Sequence, residues 1–399
     1  MAKRVRALVD GAILKWARKS GGYSIEEIAA RFGKDVETIR AWEGVEETYP
    51  YMGQLRDLAN LYKRSISDFY LPAPPEERPI PHDFRRAPGE VAGIYSPDLR
   101  KQLRFARERQ ELTEFLYEEL GEKIELFGHG AKLTEKPEAL GQRIRELLGV
   151  QIEKQFRWHD PYAALKGWRR PIESLGVLVF QFENVAADEA WGFSIVEGPM
   201  PVIGVNIDLA PNGRTFTMLH EFVHVLLGKN SICDIDDFTA RGEAELRVEV
   251  FCNQVAAATL MPRGEFLAHE VVALRDGPVV DWGDDEIAEV AVAFSVSREA
   301  VVRRLLTFGK TTQAFYQQKR AQYKAQRSAQ KQRVREESKG KHFGQNRAQR
   351  ALSNFGPIYV GAVLSSYSDD RITLADAAKF LEVRAPAVRK VEELVLRAR

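Results

Sequence analysis

Apolar positions recur at helical spacing from the start of the chain. Leu8, Ile13, Leu14 and Trp16 are followed by Ile25, Ile28 and Ala29, then by Val36, Ile39 and Trp42 after a turn around Gly33, and finally by Leu55, Leu58 and Tyr62. The pattern predicts a small all-helical domain over 1–70. Residues 71–95 break it with Pro72, Pro74, Pro75, Pro79 and Pro81, which predicts an extended, semi-rigid linker that hinges the first domain. Charged amphipathic patterns from Pro97 to about Leu120 and from Pro137 to Leu148 read as helices. Three short apolar runs then read as strands: Val177 to Phe180, Gly192 to Ile195 and Val202 to Val205.

Helical spacing returns with Phe216, Leu219, Val223, Leu226 and Leu227, and Gly228 stands where a C-terminal cap belongs, predicting a half-buried helix. A second helix carries Leu246, Val250, Gln254, Ala257 and Leu260 on one stripe and ends at Pro262; Glu245, Glu249, Cys252, Asn253 and Ala256 lie on the adjacent face. Residues Glu286 to Leu306 read as a further helix-turn-helix of structural character, within a central domain over 96–309. A basic helical segment over 310–350 and a compact helical module over 351–399, with a turn near Val383, complete an α+β chain.

The first of these central helices carries the chemistry. In His220-Glu221-Phe222-Val223-His224 the two imidazoles stand at i and i+4, on one helix face, so both reach one metal while Glu221 points toward a water beside it. A third histidine on an extended turn is excluded, because Leu227 and Asn230 stand where Gly and His would be needed. The remaining ligand is therefore a carboxylate on the next helix, with Glu243 and Glu245 as rivals to Glu249. His269 and Tyr162 are candidates for a second donor to a developing oxyanion.

The stretch Pro201-Val202-Ile203 to Asn206, then Arg214 to His224, then Glu249-x-x-Cys252-Asn253 and Leu260-Met261-Pro262 resembles the ImmA/IrrE family of metallopeptidases, over about residues 160–310. The resemblance implies a gluzincin-like peptidase domain in which a small β-sheet accompanies the zinc-site helices. It implies zinc held by His220, His224 and Glu249, Glu221 as general base, and Asn253 beside the ligands. Cys252 stands where the family usually has Ala, and reads as packing. A repressor or antitoxin-like protein substrate is also an implication of the resemblance alone.

Residues 1–70 resemble the Xre-like helix-turn-helix: Ser24 opens the second helix, Asp35 to Glu43 form the recognition helix, and Trp42-Glu43-Gly44 with Pro50 matches the closing signature. Lys34, Thr38 and Arg40 are the residues this places against double-stranded DNA. Charge argues the other way, since twelve Lys and Arg against ten Asp and Glu make a poor footprint for a phosphate backbone. Docking onto a partner of similar fold is the competing expectation. The stretch 310–350 is more basic, with twelve Lys and Arg against Glu336 and Glu337, and Tyr316 and Tyr323 interleaved; it reads as a nucleic-acid contact or as a solvated helix.

At 399 residues with 44% hydrophobic composition the chain has material for two or three cored domains. Two cysteines, Cys233 and Cys252, argue against a disulfide framework and for a reducing compartment. With no apolar run of eighteen residues and no signal-like start, a cytoplasmic protein without a membrane partner is expected. The function classes left are a zinc endopeptidase with a docking module, and a DNA-binding or antitoxin-like regulator whose zinc domain is a sensor or structural body.

Overall fold

Local capping fixes the N-terminal helices where the sequence places them. Asp10 accepts from the Ala12 amide and opens α1 (Gly11–Ser20). A reciprocal Ser24–Glu27 box opens α2 (Ile25–Phe32), which stops at Gly33. Asp35 caps α3 (Val36–Trp42) through the Thr38 amide at 2.7 Å. With α4 (Met52–Tyr62) and a 3-10 turn over Ile66–Tyr70, these helices close a core of Ile13, Leu14, Ile28, Ile39, Trp42, Leu55, Leu58 and Phe69. The start of the chain departs from expectation. Leu8 precedes α1 in an extended stretch bridged from Arg6 to Tyr51, and there period two buries Ala7 and Val9 while Leu8 faces out. Glu43 of the closing signature accepts from Arg18 Nε at 2.6 Å and Nη2 at 2.7 Å, locking the end of α3 to α1.

The computed structural model describes residues 5–44, 48–75, 95–158, 160–233, 243–275, 277, 281–337 and 346–398; most of the expected linker lies outside them. Two compact units result, with a boundary inside α5 (Pro97–Glu119), after Phe105. No helix among the described residues is long and apolar enough to cross a membrane.

The second unit continues with α6 (Pro137–Leu148), α7 (Ile152–Phe156) and α8 (Pro161–Glu173), then β1 (Leu178–Phe182), β2 (Gly192–Ile195), β3 (Val202–Asn206), α9 (Pro211–Leu226) and β4 (Ser231–Cys233). The sheet order is β1-β3-β2-β4, with β1 parallel to β3 and the other pairs antiparallel. Three strands were expected; β4 is additional, since a three-residue strand is too short to show a period. One face of the sheet puts Val179, Ile203 and Val205 into a core with Met218, Leu219 and Phe222 of α9. A helical layer covers the other face as well, so every residue of β2 and β3 is buried.

After α10 (Glu243–Leu260) come α11 (Arg263–Ala268), α12 (Glu270–Ala273), α13 (Asp284–Ala293), α14 (Arg298–Thr307), α15 (Gln313–Glu337), α16 (Arg347–Ser368), α17 (Leu374–Phe380) and α18 (Ala385–Ala398). Pro262 cannot continue α10, and the carbonyls left over at its end take side-chain donors. Arg145 Nη1 donates to Thr259 O at 2.8 Å, Gln155 Nε2 to Leu260 O at 2.9 Å, and Arg304 Nη2 to Met261 O at 2.7 Å. These three buried donors fix the helix that carries Glu249.

In α15 the interleaved tyrosines turn inward: Tyr316 and Tyr323 are buried, so neither ring is open for stacking on a base. Part of the positive charge meets acids of the same unit, with Lys319 at 2.9 Å from Asp284 and Arg327 at 2.8 Å from Glu299. The C-terminal module supplies the second cover of the sheet. Tyr359 of α16 meets Phe180 of β1 edge-on at 5.9 Å, and the Arg109 guanidinium of α5 lies over Phe355 at 4.6 Å. Two helical stretches of α16 join at Gly356, whose φ of 77° suits glycine. At the outer edge of β1, Arg169 of α8 donates to the carbonyls of Val179 and Ser353 and pairs with Glu173 at 3.0 Å.

Candidate metal centre

Helix α9 is buried more fully than expected. From Thr217 to Leu226 every residue is buried, because the helix lies between the sheet and helices α8 and α10. Its two histidines meet the carboxylate of α10. His220 Nε2 is 3.3 Å from Glu249 Oε2, His224 Nε2 is 3.0 Å from Glu249 Oε1, and the two Nε2 atoms are 3.1 Å apart. Among the described residues, His220, His224 and Glu249 form the group of donors that could hold a metal ion.

The donor set fits zinc. Two imidazole nitrogens and a carboxylate are ligands of an open zinc site, and bonds of about 2.0–2.1 Å in a tetrahedron imply donor separations near 3.3 Å. The observed edges of 3.0 to 3.3 Å match that size. Asn253, one turn beyond Glu249, places its Oδ1 3.0 Å from His220 Nδ1. An amide oxygen accepts only, so Nδ1 carries the proton and Nε2 presents its lone pair to the cluster. Burial works to raise the Glu249 carboxyl; when His224 and His220 are protonated, their charge and hydrogen bonds outweigh it and hold it well below the usual carboxylate range.

Glu221 follows His220 on α9 and is fully buried. Its Oε2 accepts from Ser231 Oγ of β4, while Oε1 has no hydrogen-bond partner among the described residues. Ser231 Oγ in turn lies 2.8 Å from Ser194 Oγ of β2. Neither serine was singled out from the sequence. Ser194 was findable, because the alternation in Gly192-Phe193-Ser194-Ile195 turns Gly and Ser to the same side; Ser231 sits in the strand that has no period to read.

Helix α10 buries the face of Glu249, Cys252, Asn253 and Ala256 expected to pack on α9, but not most of its other stripe. Gln254 is exposed and Leu246, Val250 and Ala257 are half-buried, while Val248, Glu249, Phe251, Cys252, Asn253, Val255 and Ala256 are buried. The helix turns inward the face that carries its polar partners for α9. Cys252 is fully buried; burial and the neighbouring charges of Glu249 and Glu221 push its thiol well up, which suits a packed thiol. Glu243 and Glu245 lie at the start of α10, outside the donor group. His269 packs against the ring of Phe294 at 6.0 Å, and Tyr162 is exposed on α8. In the first unit, Lys34 precedes α3 and Arg40 on it pairs with Glu37 at 2.9 Å; both are exposed, and Thr38 is half-buried.

Two histidines one helical turn apart, with a carboxylate from the following helix, make the donor arrangement of a metallopeptidase domain. Residues 172–306 match the model of the Peptidase_M78 family, described as the IrrE N-terminal-like domain, which supports the ImmA/IrrE resemblance for this part of the chain. No curated protein matches the chain.

Proposed function

We propose that the chain is a zinc-dependent endopeptidase that cleaves a regulatory protein such as a repressor or an antitoxin. The observation that carries the reading is the convergence of His220, His224 and Glu249, with Glu221 next to His220 on α9 and its Oε1 without a hydrogen-bond partner among the described residues. His220, His224 and Glu249 would hold zinc, which when bound would supply Lewis-acid polarisation of the scissile carbonyl and of the attacking water. Glu221 takes the proton of that water at Oε1 and passes it to the leaving amine, and the reaction runs without a covalent intermediate. Asn253 holds His220 in the tautomer that ligates.

Substrate enters this reading as an extended strand. At the outer edge of β1, Arg169 occupies the Val179 carbonyl, whereas β4 is the opposite edge and carries the serine that touches Glu221. An extended segment added to β4 would lie beside the base. The N-terminal unit delivers the enzyme to its target, at a DNA site or by pairing with a partner of similar fold. Zinc analysis of the purified chain, with a comparison of protein N-termini in cells expressing wild type and Glu221→Gln, tests the proposal. One zinc per chain and a new N-terminus in wild type alone support it. A chain without zinc, or identical termini, overturns it.

A further inference from the structure

Strands β2 and β4 pair antiparallel with Ser194 directly opposite Ser231, and the same register sets Gly192 opposite Cys233. Period two turns Gly192 and Ser194 to one side of β2, the side on which α9 lies. Gly192 is pressed against that helix: a Cβ there would meet Thr217 Cγ2 at 2.5 Å and Glu221 Cγ at 3.2 Å. Ser231 reaches the same carboxylate from the neighbouring strand. Three features of the sheet therefore converge on one side chain of α9 that ligates nothing itself.

The hydrogens in this chain are assigned by counting donors. Ser231 Oγ donates its single hydrogen to Glu221 Oε2. The 2.8 Å contact between the serines must then use the hydrogen of Ser194. The carbonyl of Lys229 lies farther from Ser194 Oγ, at 3.3 Å. Ser194, Ser231 and Glu221 are all fully buried, so these hydrogen bonds are sheltered from bulk solvent. One carboxylate oxygen is thus tied to the sheet and the other is left for chemistry.

We propose that Ser231, oriented by Ser194, is the positioning residue for the general base: its hydroxyl anchors Glu221 Oε2 and so aims Oε1 at the metal centre. The inference rests on the peptidase reading and adds a device to it. A carboxylate on a helix has freedom about its last two side-chain torsions, and a base must lie within hydrogen-bond reach of the proton it removes. The serine pair removes that freedom without adding a charge. Because Ser231 belongs to the edge strand proposed to pair with substrate, the docking strand and the base share one rigid support.

Acetohydroxamate binding to the zinc-loaded protein tests this without a known substrate, since the probe is a ligand for zinc and its acidic proton needs an acceptor where Oε1 is aimed. Ser231→Ala, Ser231→Thr, Ser194→Ala and Glu221→Gln are compared with wild type by titration calorimetry, alongside zinc content and melting temperature. Ser231→Ala is expected to hold one zinc, melt near wild type and bind the probe about tenfold more weakly, the scale of one hydrogen bond to a charged group. Ser231→Thr, which keeps the hydroxyl, is expected to bind close to wild type, and Ser194→Ala to fall between. Wild-type affinity in Ser231→Ala overturns the proposal, and so does an equal loss in Ser231→Ala and Ser231→Thr, which would trace to strand packing. A wild-type chain that holds no zinc fails at the earlier step, and overturns the peptidase reading together with this one.

Discussion

His220 Nδ1 and Asn253 Oδ1 meet at 3.0 Å across α9 and α10. The contact joins one proposed ligand to the helix that supplies the proposed carboxylate ligand, so Asn253→Ala should loosen both. The variant is expected to fold and to bind zinc about 10–100-fold more weakly, the usual cost of losing a partner behind a metal-binding histidine. Competition with a chromophoric zinc chelator measures it, and unchanged affinity would remove Asn253 from the site.

His220→Ala, His224→Ala and Glu249→Ala should each lose the stoichiometric zinc, because two donors do not hold an open site. Glu221→Gln should keep the metal and lose cleavage. Glu245→Ala should retain both, since Glu245 is outside the donor group. Metal analysis of the five variants separates ligands from base.

A pH dependence is expected at the buried Arg169–Glu173 pair. Burial pushes the Glu173 carboxyl up to about 7, from an ordinary 4.5, against the opposing charge and hydrogen bond of Arg169. Its Oε2 has no hydrogen-bond partner among the described residues. The folded state therefore holds this proton more tightly than the unfolded state. Its contribution to stability is fully present below pH 4.5 and is lost as the pH rises through about 7. The loss is on the order of 3 kcal/mol. Urea unfolding of wild type and Glu173→Gln between these limits should show the decline in wild type alone.

Gly192→Ala places a methyl 2.5 Å from Thr217 Cγ2 and 2.8 Å from the Gly204 carbonyl oxygen. Backbone on one side and a buried helix on the other leave little room to yield, so the cost is about 1–3 kcal/mol. Activity should fall further than stability, since the displaced helix segment carries Glu221. Thermal melting and turnover of the same preparation check the two effects.

The triple replacement Lys34→Ala, Thr38→Ala and Arg40→Ala alters the first unit alone. It should leave zinc content and melting temperature unchanged and abolish recruitment to the target, whether DNA or protein. Gel shifts at two salt concentrations, and co-purification with the cleaved protein once it is known, distinguish the two forms of recruitment.

Helix α9 was legible because spacing, a capping glycine and paired histidines agree over one short stretch. Three strands were legible within two residues of their ends for the same reason, namely apolar runs bounded by turns. The burial of α10 was legible on one face only. Glu249, Cys252, Asn253 and Ala256 turn inward as a face packed against α9 requires, whereas Leu246 and Val250 of the other stripe are half-buried and Gln254 is exposed. The Leu8 misplacement has a non-local cause, since an extended stretch that bridges Tyr51 depends on residues more than forty positions away. Opposite charges for α15 were likewise invisible, because Asp284 and Glu299 reach it through tertiary packing.

The family-matched stretch ends at residue 306, yet the ring set against Phe180 belongs to Tyr359, and the Val179 carbonyl is engaged by an arginine that also grips Ser353. Recognisable chemistry and mechanical integrity therefore have different borders in this chain. A fragment trimmed to the matched stretch would retain every metal donor while baring an aromatic sheet face to solvent, inviting self-association. Helices beyond residue 346 are in this sense a wall of the family-matched body, so an insertion or truncation there should register at the helix that carries His220 and His224.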